Sequence, residues 1–286
     1  MIPINEKFPH KPSWLKVKLP KGESYLKVKE LLNQQNLSTI CQSGKCPNLT
    51  ECWGAGTATF MILGTVCTRN CTFCNVSPGK PLPPDQNEAH KVAESVKLMH
   101  LKHCVITSVT RDDLPDKGAA HWTLTINEVK KLNPSTTLEV LIPDMKDDII
   151  ALEMIIKSKP DIISHNIETV KRLYKTVRPQ ANYLRSLRQI KYTHESGTRS
   201  KSGFMLGLGE TEEEIIELIN DLYDHQVDIL SIGQYLQPTA GHHKVVDFIQ
   251  PDKFDAYAQY ARKKGIKYVE SGPLVRSSYH SEYHLI

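Results

Sequence analysis

From residue 58 onward, short runs of apolar and β-branched residues alternate with longer stretches of helical period. The first run, 58–63, is followed by 88–102, in which apolar residues recur every three or four positions. Five further runs predict strands, and each has a predicted helix after it: 105–109, 137–142, 161–167, 202–208 and 228–235.

Local signals fix the ends of two of these helices. Thr211 and Glu214 have the spacing of a capping box, which predicts a helix beginning after Thr211. Pro251 precedes a helix predicted over 252–264, and Gly265 occupies the position where helices commonly end.

Six successive strand–helix units predict an α/β fold with a parallel sheet and right-handed crossovers. Six units are fewer than the eight of a complete TIM barrel, so we expect a partial (β/α)6 TIM-like barrel. A doubly wound sheet is the alternative, because periodicity does not separate the two. In both folds, ligands bind at the carboxyl ends of the strands.

The predicted barrel divides the chain into three parts. Residues 1–56 form an N-terminal extension, 57–270 the barrel and 271–286 a short C-terminal tail. No apolar run approaches the roughly 20 residues that span a bilayer. The N-terminus lacks the features of a secretory or transit signal, so a cytoplasmic protein with no membrane partner is expected.

Charge adds one local feature. The net charge of +4 is mild and does not by itself indicate nucleic-acid binding. Between residues 7 and 29, however, there are seven lysines and a single acidic residue, Glu23. This basic strip is either a solvated arm or a docking surface for an acidic partner or a phosphate backbone.

Six of the seven cysteines form two triads. The first triad is Cys41, Cys46 and Cys52, and the second is Cys67, Cys71 and Cys74. Each triad is one thiolate short of a closed four-ligand zinc or iron–sulfur site, which indicates two cubane clusters with one further iron position each. Zinc is the alternative, but no second Cys pair follows at zinc-finger spacing. Cys104 lies in a strand and is interpreted as an inert buried thiol.

The second triad has the spacing C-x₃-C-x₂-C, with Phe73 before its last cysteine, and follows the first strand of the barrel. In this it resembles the radical S-adenosylmethionine (radical SAM) superfamily. The resemblance implies a [4Fe–4S] cluster on the three cysteines, whose free iron chelates S-adenosylmethionine and generates a 5′-deoxyadenosyl radical. It also implies cofactor contacts at or near strand ends, namely Phe73, Thr107, Ser108, Asn166, Glu168, Arg178, Gly203, Met205 and Gly207.

The first triad, C-x₄-C-x₅-C, narrows this resemblance to the lipoyl synthase family. Further motifs of that family are Lys11-Pro12-Ser13-Trp14-Leu15, residues 107–116, residues 165–170, residues 233–239 and Arg276-Ser277-Ser278-Tyr279-His280. The resemblance implies a second, auxiliary [4Fe–4S] cluster on Cys41, Cys46 and Cys52, with Ser278 as the ligand of its fourth iron. An alkoxide is a more labile cluster ligand than a thiolate.

The resemblance also implies the reaction and its partners. Two sulfur atoms from the auxiliary cluster would be inserted at C6 and C8 of an octanoyl-lysine on a lipoyl carrier domain. The carriers would be E2 subunits of 2-oxoacid dehydrogenases and the H protein of the glycine cleavage system. An electron donor such as flavodoxin or ferredoxin and an iron–sulfur carrier would serve the clusters. No side chain is expected to act as acid, base or nucleophile, and Asp112 and Asp113 are as well explained by a structural role, as caps, as by a catalytic one.

Two stretches depart from the family pattern. Lys117 stands where the family has a second glycine, and His242-His243 lies in a loop where the family has His-Leu-Pro-Val. The alternatives within the superfamily are a biotin synthase and a tRNA methylthiotransferase. From another class, a metal-stabilised nucleic-acid-binding protein would use the basic strip and show salt-dependent binding.

Overall fold

The computed structural model describes residues 11–17, 23–55, 57–279 and 281, so Lys7, Lys18 and Lys21 of the basic strip lie outside it. An eight-stranded sheet organises these residues. In sheet order its strands are β1 (Ser38–Thr39), β2 (Thr59–Ile62), β5 (His103–Ser108), β6 (Thr137–Leu141), β7 (Ile162–Ser164), β8 (Arg199–Leu206), β9 (Ile229–Gln234) and β10 (Tyr268–Gly272). A separate parallel pair joins β3 (Val66–Cys67) to β4 (Ser77–Pro78).

The six predicted strands are β2 and β5 to β9, and they pair in parallel in chain order. This confirms the α/β class and the partial barrel of six units. Two strands that the sequence did not predict lie at the edges of the sheet. β1 pairs antiparallel with β2, and β10 adds a seventh parallel strand beside β9.

Helices pack against the strands and against one another, forming a helical layer. They are α1 (Glu23–Gln34), α2 (Ile40–Ser43), α3 (Leu49–Gly54), α4 (Glu88–Leu98), α5 (Ala119–Leu132), α6 (Ile149–Lys157), α7 (Tyr174–Val177), α8 (Tyr183–Glu195), α9 (Glu212–Asp224) and α10 (Pro251–Lys264). Short 3-10 helices lie at Ser13–Leu15, Met145–Asp147 and Lys171–Leu173. The capping box at α9 is confirmed, as are Pro251 in the first turn of α10 and Gly265 at its end.

The core lies between this helical layer and the strands. Phe60, Ile106 and Trp122 are fully buried in one half, and Ile232 and Phe254 are fully buried in the other. Cys104 is also fully buried, and burial raises the pKa of its thiol, as expected for an inert core cysteine.

Lys117 and Gly118 form the turn before α5. Lys117 adopts a left-handed φ of 57°, and Gly118 follows with a φ of 87°. Lys117 Nζ donates a hydrogen bond of 2.9 Å to the Pro115 carbonyl, which helps to hold the strained residue. The turn therefore still delivers the chain to α5.

Candidate active site

A cavity of about 350 Å³ opens at the carboxyl ends of the strands. Its walls include five cysteines from both triads: Cys41, Cys46, Cys67, Cys71 and Cys74. The sixth, Cys52, lines an adjoining pocket with Cys41 and Cys46. All six thiols are free. Because Cys41 and Cys46 line both spaces, the two triads face connected spaces at the end of the barrel where ligands are expected.

The second triad lies on the loop between β2 and α4. Cys67 Sγ accepts backbone hydrogen bonds from Arg69 (3.4 Å) and Thr110 (3.3 Å). Such N–H groups support negative charge on sulfur. Burial raises the pKa of Cys71, and it raises the pKa of Cys74 to about 12. A metal that binds these thiols therefore displaces their protons.

Arg69 fixes this loop to the barrel. Its guanidinium is almost fully buried and contacts Asp112 (2.8 Å) and Asp144 (2.5 Å). Burial alone would raise the pKa of Asp144, but the hydrogen bonds and charge of Arg69 outweigh it and hold that pKa well below its usual range. Asp112 pairs with Arg69 and Asp113 pairs with Arg111, so both carboxylates have structural partners, in ion pairs rather than in helix caps.

The first triad is built from α2, the loop after it and α3. Burial raises the pKa of Cys41, and hydrogen bonds from Thr59 oppose the rise. Burial also raises the pKa of Cys46, and here the charge of Arg276 is the largest opposing effect. The pocket beside these cysteines is completed by the tail, because Arg276, Ser278 and Tyr279 line it.

Ser278 is held at this pocket by the first strand of the barrel. Thr59 Oγ1, in β2, donates a hydrogen bond of 2.9 Å to Ser278 Oγ. The structure therefore places Ser278 beside the three cysteines with which the family resemblance groups it.

The arrangement of the triad cysteines decides which metal groups this site can hold. Among the described residues, no three His, Cys, Asp or Glu side chains converge as ligands of a single metal ion. A cubane binds each thiolate at its own iron, so three sulfurs need only surround a common space. The two triads meet this requirement, and the chemistry of their donors suits iron–sulfur clusters.

Eight of the nine residues expected to contact S-adenosylmethionine line the main cavity: Phe73, Thr107, Ser108, Asn166, Glu168, Arg178, Gly203 and Met205. Three of them present buried polar atoms without a partner, which are Ser108 Oγ, Asn166 Oδ1 and Arg178 Nε. A buried polar atom left unpaired costs about 1–3 kcal/mol, so a polar ligand in this cavity would be favoured.

At and near the ends of β7 and β8, the chain leaves room for a ligand to approach the backbone closely. A Cβ at Gly203 would lie 2.5 Å from Ser231 Oγ and 3.2 Å from Asn166 Oδ1, so only glycine leaves this space open. Glu168 has a left-handed φ of 68°. Burial raises the pKa of Glu168, and the charge of Arg178 opposes the rise. Strained backbone of this kind is common at ligand sites.

Two of the residues expected to contact S-adenosylmethionine, Arg178 and Gly207, have structural roles. Arg178 Nη1 donates to the carbonyls of Asn166 (2.8 Å) and Ile167 (3.2 Å), so its guanidinium supports the backbone that follows β7. Gly207 does not line the cavity. Its φ of 95° favours glycine, and a Cβ at this position would clash with Gln234 Nε2 and the Asp247 carbonyl, so the turn after β8 requires glycine.

The loop that departs from the family pattern contacts the second triad. His242 Nε2 lies 3.0 Å from the Cys74 carbonyl, and its Nδ1 lies 2.7 Å from Thr239 Oγ1. His243 Nε2 contacts the Leu208 carbonyl at 2.9 Å. The two imidazoles therefore bind backbone on different segments. Sequence reasoning missed this support, since no spacing signal links residues 74 and 242.

Comparison with known proteins agrees with this geometry. A model of the radical SAM superfamily matches residues 61–222, and a model of the N-terminal domain of lipoyl synthase matches residues 4–46. The lipoyl synthase of Bacteroides fragilis (strain YCH46) is 54% identical over 281 residues, which cover 98% of each chain. This chain belongs to the lipoyl synthase family. The mitochondrial lipoyl synthase of Nematostella vectensis is 52% identical over 276 residues, covering 96% of this chain and 95% of that relative.

Solved structures share the fold at low identity. Methylornithine synthase (PylB) superposes with a TM-score of 0.56 at 14% identity, over 90% of this chain and 81% of that one. Streptococcus suis SuiB bound to its precursor peptide SuiA gives a TM-score of 0.58 at 14% identity. That match covers 86% of this chain and about half (52%) of SuiB. In the part of the chain that the structure describes, no helix is long and apolar enough to cross a membrane.

Proposed function

We propose that the chain acts as a lipoyl synthase, inserting two sulfur atoms at C6 and C8 of an octanoyl-lysine on a lipoyl carrier domain. The observation that supports this most is that one cavity is lined by cysteines of both triads. A radical-generating site and a sulfur-donating site must both reach the same acyl chain. The walls of this cavity would satisfy that requirement.

The second triad, Cys67, Cys71 and Cys74, would hold the [4Fe–4S] cluster of the radical SAM superfamily. The residues expected to contact S-adenosylmethionine are those around the cavity, with Asn166 and Arg178 prominent because of their unpaired buried atoms. When bound, this cofactor pair and the auxiliary cluster supply the hydrogen abstraction and the sulfur.

The auxiliary cluster is a further proposal. Cys41, Cys46 and Cys52 would provide three of its ligands, and Ser278 the fourth. The hydrogen bond from Thr59 supports this assignment, because it fixes the Ser278 hydroxyl at the pocket. A hydroxyl ligand is released more readily than a thiolate, as suits a cluster that gives up sulfur.

The protein's own contribution is positioning and exclusion of water. Apolar side chains, including Met61, Val109 and Leu141, line the cavity and suit an alkyl chain. Holding that chain in one orientation supplies most of what the protein must add to radical chemistry. No side chain needs to act as a general acid or base.

The partners are proposed from charge. Lys11, Lys16, Lys27 and Lys29 are exposed on the described part of the basic strip and would face an acidic carrier domain. Reversal of these four charges should weaken the apparent affinity for carrier at low salt and flatten its salt dependence. Unchanged affinity and unchanged salt dependence would remove the strip from the docking surface.

Other features remain proposals as well. These are the three-part division of the chain at residues 56 and 270, a cytoplasmic location, an electron donor such as flavodoxin or ferredoxin, and an iron–sulfur carrier as a partner.

The deciding experiment is anaerobic. Reconstituted protein, S-adenosylmethionine, a strong reductant and an octanoylated carrier domain are combined, and the carrier mass is measured. The proposal expects a gain of two sulfurs and a loss of two hydrogens. Cys41→Ala should still form 5′-deoxyadenosine without sulfur insertion, whereas Cys67→Ala should form neither product. Cys104→Ala is the matched control, since that thiol is fully buried and lines neither pocket. If 5′-deoxyadenosine forms but the carrier never gains sulfur, the substrate assignment is wrong.

A further inference from the structure

The tail reaches the mouth of the barrel and is held there from several sides. The Leu274 carbonyl accepts a hydrogen bond of 2.7 Å from Asn48 Nδ2 in the extension. Ser277 Oγ accepts one of 2.6 Å from Asn166 Nδ2, and Ser278 is bound by Thr59. Two neighbouring tail residues are therefore fixed by two different places on the barrel.

Asn166 faces both the tail and the main cavity. Its Nδ2 is engaged by Ser277, while its Oδ1 is buried without a hydrogen-bond partner. Both Asn166 and Ser277 line the cavity. Because Gly203 has no side chain, the space beside Oδ1 is open.

A side-chain amide is planar, so its two ends move together. A hydrogen-bond donor that enters the cavity and binds Oδ1 satisfies the unpaired oxygen and fixes the plane of the amide. Nδ2 is then held in the direction of Ser277. The contact between Asn166 and Ser277 is stronger in that state than when the amide has only one of its ends bound.

We propose that Asn166 couples occupancy of the main cavity to the position of the tail, and thereby of Ser278 at the first triad. The inference rests on the proposed function, because the ligand taken to supply the donor is S-adenosylmethionine, with its hydroxyl and ammonium groups. Ser277 is then a positioning residue. Its hydroxyl transmits the state of the amide to the next residue in the chain.

Such coupling is reciprocal. If the ligand strengthens the hold on Ser277, loss of the Ser277 hydroxyl must weaken binding of the ligand by the same factor. One hydrogen bond of ordinary net strength corresponds to about a two- to tenfold change in an equilibrium constant. This figure sets the size of the effect to be measured.

The test uses the reconstituted protein under anaerobic conditions, in wild-type form and as Ser277→Ala. S-adenosylmethionine binding is measured by equilibrium dialysis, and amide hydrogen exchange is followed in peptides covering residues 272–279. We expect Ser277→Ala to bind two- to tenfold more weakly. Ligand should slow exchange of the tail in the wild type and not in the variant.

Two further variants separate the hydroxyl from general packing. Ser277→Thr keeps the acceptor and should bind nearly as well as the wild type. Ser271→Ala removes another hydroxyl close by in the chain, which donates to the Phe254 carbonyl at 2.8 Å, and should also bind normally. An affinity loss in Ser277→Ala that Ser277→Thr does not recover would assign the effect to packing and overturn the inference.

The inference also fails if Ser277→Ala binds with unchanged affinity, or if ligand leaves tail exchange unchanged in the wild type. These results leave the proposed function intact when the wild-type protein still inserts sulfur. A wild-type protein that does not bind S-adenosylmethionine would overturn both.

Discussion

The hydroxyl of Thr59 lies 2.9 Å from the hydroxyl of Ser278, although the two residues are 219 positions apart in the chain. Thr59 begins the first parallel strand, and its hydrogen bonds also oppose the rise in the pKa of Cys41. One residue in the barrel therefore supports two of the four residues proposed to hold the auxiliary cluster, Ser278 through its hydroxyl and Cys41 mainly through its backbone.

Thr59→Val should loosen that cluster. Valine keeps the shape of threonine but cannot donate to Ser278, and one such hydrogen bond is worth about 0.5–1.5 kcal/mol net. We expect iron to leave the first triad two- to tenfold faster under chelator challenge. Thr59→Ser keeps the donor and should release iron nearly as slowly as the wild type. Equal release from both variants would show that the hydroxyl plays no part.

Arg69→Gln should destabilise the protein by about 3 kcal/mol or more, because it leaves two carboxylates in a buried site without their main partner. Asp144 retains Arg185 at 3.2 Å, which limits the loss. The free energy of unfolding in denaturant is the measurement.

Arg172→Gln is the matched control for that variant. Arg172 pairs with Glu214 on the surface, where water screens the interaction, so its loss should destabilise the protein far less than the loss of Arg69. If the two variants are equally stable, the buried network does not anchor the cluster loop as described.

A second buried pair lies inside the barrel. Lys201 Nζ contacts Glu139 Oε2 at 2.9 Å, and both side chains are fully buried. Burial alone would raise the pKa of Glu139, but the charge of Lys201 and further contacts lower it to about 2. Lys201→Met should cost roughly 3–5 kcal/mol, since it leaves a buried carboxylate uncompensated.

The double variant Lys201→Met with Glu139→Gln removes that charge and should recover part of the loss. A thermal or denaturant unfolding series on the single and double variants measures the coupling. Strictly additive losses would contradict a direct interaction between the two side chains.

Because of His165, the free energy of unfolding should decrease as the pH falls. Its Nδ1 contacts the Ile142 carbonyl and its Nε2 the Ser186 hydroxyl, each at 2.9 Å, which suits a neutral ring. Burial, assisted by the charge of Arg178, lowers its pKa to about 4. An unfolded histidine has a pKa near 6.5, so the unfolded state takes up the proton first. The contribution of His165 is complete above about pH 6.5 and is lost as pH falls toward 4.

From pH 7.5 to 5.5 this effect amounts to roughly 1 kcal/mol, measured as the free energy of unfolding. His165→Gln should lose that part of the pH dependence. The control variant, His90→Gln, changes an exposed histidine and should keep it. A pH profile that is the same in both variants would assign the acid effect to other groups.

The barrel strands were predictable because buried parallel strands are almost continuously apolar, so each of them stands out between helical stretches. β1 and β10 were not. A two-residue strand such as Ser38–Thr39 has no period to detect, and Tyr268–Gly272 is mostly polar or glycine. Pairing with a neighbour, which no local pattern encodes, makes both of them strands.

The candidate site, too, was predictable from the sequence only in part. The cysteines are recognisable from spacing, because cluster ligands of one triad lie close together in the chain. The contact of Asn166 with Ser277 joins segments 111 positions apart, and that of His242 with the Cys74 carbonyl joins segments 168 apart. Gly207 shows that a sequence signal for a ligand contact can also have a structural cause. A glycine at a strand end suggested a ligand contact, yet close packing against Gln234 and Asp247 accounts for it.

The hydrogen bond between Asn48 and the Leu274 carbonyl ties an early segment of the chain to a late one. During synthesis, the ribosome releases the first triad long before Ser278. A nascent chain can therefore present the three thiols of the first triad before the Ser278 hydroxyl has been synthesised. Premature termination upstream of the tail would leave a protein with its barrel strands and all six triad cysteines. The pocket of the first triad would then lack the wall that the tail provides.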